Sequence, residues 1–489
     1  MIVLHKYYSR FLILLIALYA VSCLQQEKPH VDDAETVVNP FVENSVDRDL
    51  EDIREDGVLK ALVVYSSTSY FLYRGQTMGF EYELLNRLAD DLDLKLELVV
   101  ADNLDNKFEV LNRGDVDLIA HNMTVTNQRK WEVDFTDYLY LTRQVLVQKK
   151  PDNYMEMTVA ELQEHLIQEP LELVGKTVSI RKNASYIERI LALSNEIGGE
   201  IYVDTLDSQL STDEIIWMVE EGKIEYTIAD ENLAKIQASY SPILDISVPI
   251  SFPQQIAWVV RKKSPVLKAA LNEWIRDQRK KSVYFVIYNK YFENERTFQE
   301  RISSEYFSVK NNKISQYDEL IKQNARKIGW DWRLISALIY QESRFNPRAR
   351  SWVGAEGLMQ IMPGTAKALG VRNTSDPAQS IRGGTDYLQM LYERFTDIPD
   401  SLNRLKFAMA SYNCGYGHVT DAQRLAEEYG LDPTIWFDNV EEMIIALSYP
   451  RNYNKPFIQY GYVRGREPAA YVEKIMERYE RYSQLIELE

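Results

Sequence analysis

Glu342 ends a run whose other inward positions are apolar. In Asp331-Trp332-Arg333-Leu334-Ile335-Ser336-Ala337-Leu338-Ile339-Tyr340-Gln341-Glu342 the spacing predicts a helix. Asp331 is its N-cap, and Leu334, Ile335, Leu338 and Ile339 share one face. Glu342 follows those four by eight, seven, four and three residues, which sets it on the same face. A carboxyl group held against hydrocarbon keeps its proton to higher pH, as a general acid near neutrality requires. An isolated glutamate at a helix end would turn to solvent instead; the residues around this one argue otherwise.

Those residues are Glu342-Ser343-Arg344-Phe345-Asn346-Pro347, then Ser351, then Gly354-Ala355-Glu356-Gly357-Leu358-Met359-Gln360-Ile361-Met362-Pro363-Gly364-Thr365-Ala366. Ser411-Tyr412-Asn413-Cys414-Gly415 and Arg464-Gly465-Arg466-Glu467 with Tyr471-Val472 follow. In this order and spacing the set resembles the lysozyme-like catalytic domain of the lytic transglycosylases. Most glycosidases need two carboxyl groups. The resemblance implies one: Glu342 protonates the oxygen between N-acetylmuramic acid and N-acetylglucosamine, then takes a proton from the muramic C6 hydroxyl as it closes onto C1. The product is a 1,6-anhydro sugar, and an intramolecular nucleophile makes the second carboxyl dispensable.

By the same resemblance, Ser351 and Gln360 bond the sugar or orient Glu342. Met359 and Met362, with Leu358, form an apolar wall, Met362 lying against a sugar face. Tyr412 stands close to the catalytic carboxyl, Asn413 holds its loop, and Tyr471 lines the glycan groove. The plainer readings are core packing for Leu358 and Met359, a helix cap for Asn413, and tight turns at Gly357 and Gly415. Glu356 is the one candidate for a second acid; flanking the cleaved bond, it would make the enzyme a hydrolase.

The elements around this set are helical: residues 315–328 read as one helix, 332–342 as the next, with Asn346-Pro347 and Pro363-Gly364 marking loops. Residues 313–489 therefore read as a mostly α, lysozyme-like domain. Residues 50–295 differ. Strands at 58–64 and 94–100 flank an amphipathic helix over 80–92, a βαβ rhythm that predicts an α/β domain with a largely parallel sheet. Gly79-Phe80-Glu81-Tyr82-Glu83-Leu84, Gly114-Asp115-Val116-Asp117-Leu118-Ile119-Ala120 and the run from Met123 through Arg129 to Asp137 resemble the periplasmic amino-acid-binding proteins, as do Leu173-Val174-Gly175-Lys176-Thr177-Val178, Asp213-Glu214-Ile215-Ile216 and the run ending in Asp230. That family folds as two lobes around a cleft. The resemblance implies that Arg129 grips a ligand carboxylate bidentately, Asp230 faces an ammonium and Thr124 donates a hydrogen bond. The ligand would be an amino acid or a muropeptide; alternatively the residues pair between the lobes of a module used for docking. The fold class is thus a two-lobed α/β periplasmic-binding-protein-like domain followed by the helical one, joined by a polar connector at 296–312.

Composition is consistent with this division. A chain of 489 residues predicts about three compact units, and 45% hydrophobic with 11% aromatic residues suffices to fold them. A formal charge of −17 excludes nucleic acid as the partner of the chain as a whole. The five histidines show no metal-ligand spacing, and neither metal nor cofactor is expected. Lys6 and Arg10 precede an apolar run at 11–19 that is short for a membrane span, and Ala20-Val21-Ser22-Cys23 resembles a lipoprotein signal. Residues 1–22 then form a signal peptide, Cys23 carries lipid and 23–49 form a flexible tether. Ala20 departs from the commoner Leu, so an ordinary signal peptide or an uncleaved anchor are the alternatives. Leu24-Gln25 lacks the aspartate associated with inner-membrane retention, which points to the periplasmic face of the outer membrane. With Cys23 lipidated, Cys414 has no disulfide partner and reads as a small buried hydrophobe. The expected partners are peptidoglycan glycan strands and a membrane; the rival reading is a solute receptor whose inactive C-terminal domain only grips glycan.

Overall fold

A computed structural model describes residues 43–101 and 105–488; Cys23 and the expected signal peptide lie outside them. Strands Val58–Val63, Lys95–Val100 and Leu118–Thr124 pair in parallel, with the predicted helix Phe80–Leu92 between the first two. Gln254–Val260 then joins antiparallel beside Leu118–Thr124, and Asp134–Phe135 and Tyr140–Thr142 run antiparallel to it. The sheet is therefore mixed rather than largely parallel. Its reversed strand is the one that returns from the second lobe, so the direction follows from the chain crossing over twice.

The second lobe holds Gln144–Lys149 with Tyr226–Asp230 and Leu244–Asp245 antiparallel to it, and the parallel pair Thr177–Arg181 and Tyr202–Leu206. The lobes touch across the cleft. The Ser67 hydroxyl donates to Asp213 Oδ1 at 2.8 Å and the Ser67 amide to Asp213 Oδ2 at 3.0 Å. On the rim, Asn183 donates to Asp105 at 2.6 Å.

Two segments depart from expectation. The end of the expected tether is docked: Asp49 caps helix Leu50–Asp56 and also accepts the amides of Val266 and Leu267, at 2.9 and 2.7 Å. Arg48 beside it pairs with the buried Asp117 at 2.8 Å. The expected polar connector carries helix Glu295–Ile302, which buries Phe298 and Ile302, followed by the buried Phe307. An apolar stripe of two residues four apart is hidden in sequence by the charges around it.

The C-terminal domain is built on helix Trp332–Ser343, whose Leu334, Ile335, Ala337, Leu338 and Ile339 are all buried. It packs on the long C-terminal helix Arg466–Leu485, and one continuous apolar core runs from the first lobe into this domain. At the junction, Gly75 turns between strands Phe71–Tyr73 and Gln76–Met78 with φ +74°. The Tyr482 hydroxyl donates to the Gly75 carbonyl at 2.6 Å, Arg481 donates to the Tyr82 hydroxyl at 2.9 Å and Gln484 to the Leu98 carbonyl at 3.2 Å.

Tyr482→Phe strands the buried Gly75 carbonyl and is expected to cost about 1–2 kcal/mol in urea denaturation. Gly75→Ala is expected to cost more, because its Cβ would meet the Phe345 ring at 2.6 Å in a backbone conformation disfavoured for alanine. Wild-type stability in both variants would remove this junction from the account.

Candidate active site

Helix Trp332–Ser343 begins as its sequence requires: the Asp331 side chain accepts the Arg333 amide, and Arg333 folds back on Asp331 at 2.7 Å. It ends abruptly, with Arg344 and Phe345 at φ +51° and +61°. The stop leaves Glu342 in the last turn, half-buried. The Tyr471 hydroxyl, from helix Arg466–Leu485, donates to Glu342 Oε1. Burial pushes the Glu342 carboxyl up to about 7, with the Tyr471 hydrogen bond pulling the other way. Tyr471 and Tyr412 are both held well above the ordinary tyrosine range, by burial first and then by the Glu342 charge, so both remain proton donors.

The loop facing the carboxyl is fixed from several sides. The Ser343 hydroxyl donates to the Leu358 carbonyl at 2.8 Å, and the Tyr412 hydroxyl to the Met359 carbonyl at 2.7 Å. Gln360, at φ +47°, donates through Nε2 to the carbonyls of Ala349 and Gly357, both at 3.0 Å. Ser351 closes the preceding turn by accepting the Ala355 amide at 3.0 Å. Gly357 combines φ +85° with a backbone contact, since a Cβ there would lie 1.9 Å from the Thr374 carbonyl oxygen. Of the expected apolar wall, Leu358 and Met359 are fully buried core, and only Met362 is open, at 43% exposure. Asn413 is half-buried on helix Ser401–Cys414, next to Tyr412. Cys414, half-buried, has its thiol pushed up to about 12 by burial, a poor nucleophile.

Glu356 is committed elsewhere. Its Oε1 pairs with Arg350 at 3.0 Å and its Oε2 accepts from Thr374 at 2.8 Å. The carboxyl partnered by Tyr471 is thus unlike Glu356: one is raised by burial toward neutrality, the other is tied to Arg350 and Thr374.

In the N-terminal cleft the three expected residues come together with others. Thr124 and Arg129 line one half of the cavity from the first lobe, and Asp230 lines the other from the second. Arg129 donates to the Thr124 carbonyl at 2.9 Å. Burial pushes Asp230 up to about 7 against a hydrogen bond from Tyr186 and the charges of Arg129 and Arg181. His121, Asn122, Arg181 and Tyr186 line both halves, and sequence reasoning missed all four. The signal for Arg181 was its place at the end of a β-rich run, directly before Lys182-Asn183-Ala184-Ser185.

Comparison with known proteins agrees with this two-part geometry. The model for bacterial extracellular solute-binding proteins, family 3, matches residues 62–294, and that for the transglycosylase SLT domain matches residues 319–433. Holo ArgBP from T. maritima is 23% identical and covers 50% of this chain and 99% of its own, with a TM-score of 0.39. A membrane-bound lytic murein transglycosylase F from Desulfosudis oleivorans is 36% identical over 434 residues, 88% of this chain and 90% of the relative. One from Stutzerimonas stutzeri is 33% identical over 439 residues, 88% and 86% of the two chains. At this identity over most of both chains, the chain belongs to the membrane-bound lytic murein transglycosylase F family, enzymes that cleave peptidoglycan.

Proposed function

We propose that Glu342 performs both proton transfers of a non-hydrolytic cleavage of peptidoglycan, leaving 1,6-anhydromuramoyl ends. The observation that carries this reading is one half-buried carboxyl, raised to about 7 and held by Tyr471, with the nearby Glu356 tied to Arg350 and Thr374. A carboxyl with a pKa near ambient pH can give a proton to the glycosidic oxygen and take one from the C6 hydroxyl with little driving force lost in either direction. Glu356, with both oxygens engaged by Arg350 and Thr374, is not free to activate water. Tyr471 holds the acid in one rotamer and stabilises its anionic form between the two transfers. Ser351, Gln360 and Tyr412 shape the loop that faces it, and Met362 supplies an exposed apolar surface for a sugar ring.

The N-terminal domain is the sensing part of this reading, with Arg129, Thr124 and Asp230 receiving an amino acid or a muropeptide. Residence is at the periplasmic face of the outer membrane, through lipid on Cys23. Among the described residues no helix is long and apolar enough to cross a membrane.

Digestion of purified sacculi followed by mass analysis tests the chemistry. Anhydro ends are expected; reducing ends would make the enzyme a hydrolase, and no release would leave a glycan-binding receptor. Glu342→Gln is expected to lower the rate by at least about a hundredfold. Tyr471→Phe removes the bond that favours the anion, so the carboxyl pKa rises and the alkaline fall of the rate moves to higher pH. A limb that stays in place or moves down would break the link between Tyr471 and the acid.

Stability carries the same sign. The Glu342 carboxyl is raised from 4.5 unfolded to about 7 folded, so the folded state loses stability as pH rises between those values. The full penalty, at most about 3 kcal/mol for this half-open site, is present above pH 7. Glu342→Gln is therefore expected to melt higher than wild type at pH 8 and together with it at pH 4.

A further inference from the structure

We propose that the interlobe cleft selects an amine bearing two carboxylates, one held by Arg129, the other by Arg181, with the ammonium at Asp230. This rests on reading the N-terminal domain as a ligand sensor and names the class of compound it senses.

Arg181 ends strand Thr177–Arg181 of the second lobe and borders both halves of the cavity, the one that Arg129 lines and the one that Asp230 lines. It and Arg129 are only lightly engaged. Arg181 donates to the Leu210 carbonyl at 3.4 Å, Arg129 to the Thr124 carbonyl at 2.9 Å. A guanidinium carries five N–H donors, so each has several left. Among the described residues neither forms an ion pair with a carboxylate; Asp105 and Glu188, the acids toward the rim, are exposed. His121 Nδ1, Asn122 Oδ1 and Asp230 Oδ1, which share this lining, are buried without a protein hydrogen-bond partner.

Charge runs the same way. The His121 imidazole lies well below its ordinary range, through burial and then Arg181, Lys107 and Arg129. Burial, followed by Arg129 and Arg181, lowers the Lys107 ammonium to about 8. A site that discourages further positive charge on its own side chains stabilises an incoming anion. A ligand with one carboxylate would satisfy one guanidinium and leave the other desolvated without a counter-ion, which is costly. A cationic side chain would add to the repulsion. Asp230, lining the half that Arg129 does not, favours an ammonium, which sets an amino compound above phosphate or a plain dicarboxylate.

The test is calorimetric titration of the full chain at pH 7.5 with L- and D-glutamate, alanylglutamate, their amide counterparts glutamine and alanylglutamine, arginine, and inorganic phosphate. At least one glutamate-bearing probe is expected to bind about tenfold or more tightly than its amide. Arg181→Met is expected to bring that ratio to about one. Equal or tighter binding of the amides, of arginine or of phosphate would overturn the proposal while keeping a sensor. Discrimination retained in a folded Arg181→Met would also overturn it. Heat from none of the probes would overturn the sensor reading with it.

Discussion

The hydrogen bond from Tyr471 to Glu342 joins the two helices on which the C-terminal domain is built. Glu342 sits at the end of a helix whose interior is hydrocarbon, and Tyr471 reaches it from the long terminal helix. Burial alone would only raise the pKa of the carboxyl and leave it free to turn outward to solvent. The hydroxyl gives it a fixed partner: a donor to the carboxylate that stays protonated itself, because it is buried and because ionising it would place a second charge beside the first. Reactivity and position therefore come from one contact, and both depend on the packing of two helices against each other.

The same terminal helix faces the other domain. Tyr471 lies near its start and Tyr482, Arg481 and Gln484 near its end, where they bond the first lobe. The Glu342 helix reaches that junction as well, through Tyr340 and through Phe345 just beyond its stop, both closed over Gly75. The Glu342–Tyr471 pair and the first lobe thus share structural members rather than a linker. The continuous apolar core between them fits the docked conformation of residues 296–312, which the charged surface of that segment concealed.

Much of this was legible in sequence, for physical reasons. Asp331 as N-cap, the apolar face and the placement of Glu342 all follow from helical periodicity, which local residues determine. The helix at 80–92 and its flanking strands follow from the change of period between them. What escaped depended on contacts between distant segments. Resemblance assigned Tyr471 to the glycan groove but could not show that it meets Glu342, 129 residues earlier. Glu356 was the one candidate for a second acid, and its engagement by Arg350 and Thr374 is again a contact between segments. The mixed sheet required knowing that the chain crosses between lobes twice. Arg181 was hidden because a cation at a strand end has many uses, and only the closed cavity distinguishes them.

The proposed chemistry depends on the protonation of one side chain. Carbon-13 NMR titration of glutamate-labelled protein, with the Glu342 resonance assigned by its loss in Glu342→Gln, measures it directly. A carboxyl midpoint close to 7, far above an ordinary glutamate, is the predicted result. A midpoint near 4.5 would show the group ionised throughout the neutral range and would contradict its role as the proton donor.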